Sequence, residues 1–273
     1  MAGVTDRVMA ELGTVQQTLF IPLAARARET GRRRPVLRDP KAAEILASVD
    51  FDKRKYGRGW GGGVTVLRTA IFDSWVSDFL AEHPGGTVVE IGTGLNTRFD
   101  RIGAGLAHWI DLDLPDTIEL RRKFFSDSGG RRMMAASVLE EDWLPAVRDS
   151  LGPYFFAAEG VLVYLEQAPQ VIARIAREFP GALIAFDTYS QRMLEQQHKA
   201  AARKNMEARW AWSCDDPRTL ESLGLAVVRD AAVTRPPPEL RRRLPRRYRY
   251  VLPLASRIVG DLATVTLFRA NSP

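Results

Sequence analysis

Two glycines and a small set of acids carry the chemistry that this chain can do. Gly92 and Gly94 follow the short apolar run Val88, Val89 and Ile91, and Asp111 and Asp113 close a second run that begins at His108. Glycine lets a backbone turn sharply and approach a ligand with no Cβ in the way. An acid about twenty residues after such a turn is where a βαβ unit holds the paired hydroxyls of a ribose. A nucleoside-containing cofactor is therefore the first expectation, and Glu90, inside the first run, is counted with its binding set.

The nucleoside can be narrowed further. A dinucleotide site needs a third glycine for close packing of the helix that faces the pyrophosphate, and Thr97 stands in that place. No Gly-Lys-Ser or Gly-Lys-Thr follows the turn, so a nucleoside triphosphate loop is missing. S-adenosylmethionine has no phosphate and asks only for close backbone approach and an acid for its ribose. A GxG turn also occurs as plain structure in α/β folds, so neighbouring residues matter. Glu159 ends the apolar run Phe155 to Ala158, and an acid at a strand's carboxyl end faces the crevice where open α/β sheets bind ligands. It would equally suit the start of a helix, where a negative charge complements the macrodipole. Arg68 can grip a carboxylate with two nitrogens or simply sit at the surface.

These residues need alternating elements to position them. The spacing of Val8, Leu12, Val15 and Leu19 predicts helix over 5–30, ended or bent at Pro22, with a second helix from near Leu23. Asp39-Pro40 reads as an N-cap with proline at the first helical position. No strand precedes these helices, so residues 1–64 are expected to form a helical cap with a flexible glycine stretch, Gly57 to Gly63. The remaining residues, 65–273, are expected to form the cofactor-binding domain. It starts with helix Thr65 to Glu82. A third strand, Arg132 to Leu139, includes Ser137 and Val138, and a crossover helix runs from Ala168 to Phe179. Ala182 to Phe186 is a fifth strand ending at Asp187. Ser190 to Trp210 reads as one long helix within an inserted lid of about 190–222. Strands Leu225 to Val228 and Ala263 to Phe268 close the chain with no helix between them. The fold class is α/β, with a mainly parallel seven-stranded sheet.

Composition excludes some functions. A net charge of +6 would suit nucleic acid, but most basic residues are interspersed with acids. The exception is Arg241 to Arg249, which reads as a solvated loop more readily than as an RNA patch, so nucleic acid is disfavoured. A single cysteine, Cys214, excludes an internal disulfide framework. No apolar run approaches the eighteen or so residues of a membrane span, and no signal peptide is evident, so a soluble cytoplasmic protein is expected. The three histidines are isolated and HExxH is absent, which predicts no metal site.

In this order the segments resemble the leucine carboxyl methyltransferase family, and within it the bacterial polyketide-type O-methyltransferases. The likeness runs through TLFIPLAARARET, LRTAIFD, VVEIGTGLNTRFDRI, WIDLDLPDTIELRRKFF, MMAASVLEEDW, AAEGVLVYLE, PGALIAFD and PPPELRRRLPRRYR. It implies a Rossmann-like class I methyltransferase sheet with an antiparallel last strand, binding S-adenosylmethionine and releasing S-adenosylhomocysteine. By that likeness Arg68 would hold the methionyl carboxylate and the Gly92–Gly94 turn would pass beneath the cofactor. Asp113, or in its stead Asp111, would hold the ribose, and Glu159 would lie near the amine and the mouth of the substrate pocket. Where the family often has Asp-Leu beside the adenine, this chain has Ser137-Val138, so the serine and the valine backbone would serve instead. Glu159, Tyr164 and Asp73 are the candidates for orienting a methyl acceptor. That acceptor is expected to be a carboxyl or hydroxyl of a small, polyketide-like molecule. The alternatives are a protein C-terminal leucine, a nucleic acid, or an inactive scaffold; a homo-oligomer stays open.

Overall fold

The protein is described by a computed structural model over residues 16–49, 61–103, 105, 107–203, 208–244, 246, 249, 251–252, 254, 256 and 263–272. The sheet has seven strands in the order β3-β2-β1-β4-β5-β7-β6. They are β1 (Thr87–Ile91), β2 (His108–Asp113), β3 (Arg131–Ala135), β4 (Tyr154–Ala158), β5 (Leu183–Thr188), β6 (Leu225–Ala232) and β7 (Thr264–Ala270). Pairings from β3 to β5 are parallel, whereas β7 runs antiparallel to both β5 and β6.

Strand register sorts the side chains into two layers, because successive residues point to opposite faces. Val88 lies level with Trp109 and Phe155, and this row packs beneath helix Gly61–Glu82. Val89 lies level with Ile110 and Phe156, and this row packs against helix Ala168–Glu178 and Trp143. Both faces are covered, so β1 reads as an unbroken buried run rather than an alternating one. A third apolar cluster joins Leu23 and Ile45 of the N-terminal helices to Ile118, Phe125 and Met133 beside the β2–β3 edge.

Several boundaries differ from the sequence reading. Pro22 lies in the first turn of helix Phe20–Thr30 instead of ending one, since that turn needs no N–H from it. Residues 5–15, 57–60 and 204–207 lie outside the described residues, and with them part of the expected first helix and of the glycine stretch. Gly61 to Gly63 are not a loop but the start of helix Gly61–Glu82. A Cβ on Gly62 would touch Ala25, so close helix-to-helix packing there overrides the poor helix propensity of glycine. The expected long helix ends at Arg203 in the described residues, and Ala208 to Trp210 are not helical. A short helix, Pro238–Arg243, stands between β6 and β7, which corrects the expectation of two strands with none between.

Asp39 ties the N-terminal helices to the sheet. It caps helix Pro40–Ser48 by accepting from the Ala42 amide at 2.9 Å, and its other oxygen accepts from Arg26, Thr97 and Arg101. Thr97, in the place of the missing third glycine, donates to it at 2.6 Å.

Candidate active site

A cavity of about 600 Å³ opens at the carboxyl ends of β1, β2 and β4, where the strand order reverses, and is roofed by Leu19, Ile21 and Pro22. That is where open α/β sheets bind ligands. The glycine turn forms its floor: Gly92 has φ +60° and Gly94 has φ +49°. A Cβ on Gly92 would come within 2.3 Å of Val161, so this position is closed to other residues by space as well as by backbone angle.

Asp113 lines the cavity at the end of β2 and accepts from the Gly94 amide at 2.7 Å and from the Leu114 amide at 2.8 Å. Burial pushes its carboxyl up to about 6 in spite of those two amides. Ser137 and Val138 line the same end. The Ser137 hydroxyl accepts from the Leu139 amide at 3.2 Å, and the Val138 carbonyl accepts from Arg174. Thr117 also lines it, and its buried hydroxyl has no partner among the described residues. Asp111 does not line the cavity. Its carboxylate accepts from Thr93 and Arg131 and pairs with Arg121, all inside the protein, so the structure does not bring this candidate for the ribose to the cavity.

On the other side a chain of buried ion pairs forms the wall. Arg68 donates from Nε to Glu159 at 3.2 Å and from Nη1 to Asp187 and Tyr189 at 3.0 and 2.7 Å. Glu159 also accepts from Thr69 at 2.7 Å and from Arg98 at 2.6 Å. Burial works against its charged form, yet Arg68 and Arg98 overcome this and hold its pKa below the usual carboxylate value. Arg98 further pairs with Glu90 and with Asp73, and Arg101 links Asp73 to Asp39 and so to Arg26. Glu90 and Glu159 line the cavity; Asp73 does not. Asp73 Oδ1 accepts from Arg98 and Arg101 and Oδ2 from Arg101, so the structure does not bring this candidate for orienting the acceptor to the cavity.

Beyond Glu159 the lining turns apolar. Val163, Tyr164, Leu165, Tyr189, Met193 and Trp210 form it, with Tyr189 and Trp210 in ring contact at 4.3 Å between centroids. Tyr189, Arg98 and Arg26 were not singled out from sequence. A buried arginine carries no sequence signal of its own, because charged residues are exposed by default. The nearest clue was the pair of arginines three apart in NTRFDRI, with Asp73 on the preceding helix. Among the described residues no group of three or more His, Cys, Asp or Glu side chains could hold a metal ion, and no helix is long and apolar enough to cross a membrane.

A seven-stranded sheet of this order with an antiparallel β7, a glycine turn after β1 and an acid ending β2 is the class I S-adenosylmethionine-dependent methyltransferase fold. The chain belongs to the leucine carboxyl methyltransferase family, which matches residues 20–178, and is an S-adenosylmethionine-dependent methyltransferase. It is 34% identical over 212 residues to the tetracenomycin polyketide synthesis O-methyltransferase TcmP of Streptomyces glaucescens, covering 76% of this chain and 78% of that one. It is 27% identical over 253 residues to the S-adenosyl-L-methionine-dependent methyltransferase dpfgK of Gibberella zeae, covering 81% and 83%. Among solved structures, a DUF574 family protein from Streptomyces avermitilis shares the fold with a TM-score of 0.57 at 15% identity, covering 98% of this chain and all (100%) of that one.

Proposed function

We propose that this enzyme methylates an oxygen, carboxyl or hydroxyl, of a small apolar acceptor of polyketide type. The observation that carries this reading is one continuous cavity with two chemically different ends. One end has the glycine turn, Asp113 and the buried ion pairs; the other has Tyr164, Tyr189, Met193 and Trp210. Its volume of about 600 Å³ lies in the range of small-molecule sites. The O-methyltransferase TcmP, as a relative of this chain, supports oxygen as the acceptor atom and a polyketide as its carrier.

The residues fit the cofactor. Four guanidiniums, Arg26, Arg68, Arg98 and Arg101, face five carboxylates, Asp39, Asp73, Glu90, Glu159 and Asp187, in one connected network. That leaves one excess negative charge beside the cavity, which suits a ligand carrying a sulfonium, an ammonium and one carboxylate. Thr117 leaves a hydroxyl in need of a partner near the ribose acid. In this reading Asp113 holds the ribose hydroxyls, Arg68 the methionyl carboxylate, and Glu90 and Glu159 face the positive groups. Ser137 and Val138 flank the adenine.

Held by these residues, S-adenosylmethionine would supply an electrophilic methyl group for an acceptor oxygen, with S-adenosylhomocysteine as the product to be released. The chain's part is to hold the acceptor oxygen against that methyl group and to exclude water, which proximity and desolvation can turn into much of the rate. Tyr164 orients the acceptor. A carboxylate acceptor sheds no proton, whereas a hydroxyl gives one up to solvent or to a base. The test is transfer of labelled methyl to a panel of aromatic acids and phenols. Label in an ester or ether of a panel member supports the proposal; label only in protein or nucleic acid would overturn it.

A further inference from the structure

Arg98 has no place in the cavity lining, yet it touches more of the site's acids than any residue in it. Its side chain is fully buried (0% exposed). Its three nitrogens reach three carboxylates on three different elements: Nε to Asp73 on helix Gly61–Glu82 at 2.7 Å, Nη1 to Glu90 on β1, and Nη2 to Glu159 after β4 at 2.6 Å. Two of those acids line the cavity. Among the described residues, the only other group that donates to the Glu90 carboxylate is the Asn96 side-chain amide at 3.3 Å. We propose that Arg98 is a positioning residue that keeps Glu90 and Glu159 ionised and aimed at the positive end of bound S-adenosylmethionine. This rests on the assignment of the cavity as the cofactor site.

The surrounding charges define what its loss would do. Besides Arg98, Glu159 is faced by Arg68 and Arg26 and Glu90 by Arg121, while Asp111 acts on Glu90 from the anion side and the two glutamates act on each other. Thr69 donates to Glu159, and Asp73, Asp187 and Tyr189 share the arginines. Burial already pushes Glu90 above the usual carboxylate value, with Arg98 offsetting only part of that. Without the guanidinium, closely spaced carboxylates in a dry site cannot all stay ionised, so they share a proton near neutral pH. A protonated acid attracts a cationic ligand less.

The experiment measures the affinity of the full chain for S-adenosylmethionine by calorimetry from pH 6.5 to 8.5, for wild type, Arg98→Met and Arg98→Lys. Arg98→Lys keeps a cation in the core but not the three-way fork, and it decides the matter alone should Arg98→Met not fold. The expected result is at least tenfold weaker binding at pH 6.5, recovering by severalfold relative to wild type as pH rises to 8.5. Wild-type affinity, or a loss equal at every pH, would overturn the inference, since a purely structural role lowers stability without creating a titration. Wild type that binds no cofactor at any pH would instead sink the site assignment on which this inference rests.

Discussion

At Asp113, burial raises the carboxyl to about 6 although two backbone amides donate to it. A folded-state value above the unfolded one means that its contribution to stability is full below the unfolded pKa and is lost as pH rises through 6. Asp113→Asn removes that charge at pH 7.5, but its side chain can accept from only one of the two backbone N–H groups and sets an NH2 against the other, which costs about 1–3 kcal/mol. Calorimetric melts should therefore show the variant no more stable than wild type. The same change should weaken S-adenosylhomocysteine binding. Wild-type affinity should also fall as pH drops through 6, a dependence that the asparagine variant lacks. A variant that binds as well as wild type would contradict this account. Asp113 was legible in the sequence because its distance from a glycine turn is fixed by the length of one βαβ step. Arg98 and Tyr189 were not, because Glu159 and Arg68, which they respectively meet, lie 61 and 121 residues away, and nothing local marks them as buried.

At the scale of elements, the turn after β1 and the N-terminal helices carry separate risks. Gly92→Ala would force an alanine to φ +60° with its Cβ against Val161. The backbone strain alone costs about 1–3 kcal/mol, so urea melts should show at least that loss, together with weakened cofactor binding. Asp39→Ala removes a helix cap and leaves Arg26 and Arg101 without their shared carboxylate. Breaking a buried pair costs about 3–5 kcal/mol, which denaturant unfolding would register; a loss below about 1 kcal/mol would show that the contacts are dispensable. The Asp39 cap was legible because its signal is local, an acid before a proline. The start of helix Gly61–Glu82 was not, because glycine propensity is local too, while the packing of Gly62 on Ala25 is not.

Across the whole molecule, a mainly parallel sheet was legible in apolar runs that alternate with helices, because burial on both faces does not depend on particular contacts, whereas the antiparallel β7 followed only from the likeness to the methyltransferase family. The cavity was less so, since its apolar wall draws Tyr164, Met193 and Trp210 from segments far apart in the chain. Trp210→Ala should raise the acceptor KM by about tenfold, in line with the loss of a well-packed aromatic contact, while leaving S-adenosylhomocysteine affinity within about twofold. A change in cofactor affinity as large as that in KM would place the indole at the wrong end of the cavity. The measurement that bears most directly on the central claim is calorimetric titration of the purified protein with S-adenosylhomocysteine, beside a folded Asp113→Ala variant. The account predicts micromolar, one-to-one binding by the wild type and its loss in the variant. A folded wild type that takes up no S-adenosylhomocysteine, or a variant that binds as well as wild type, would contradict it.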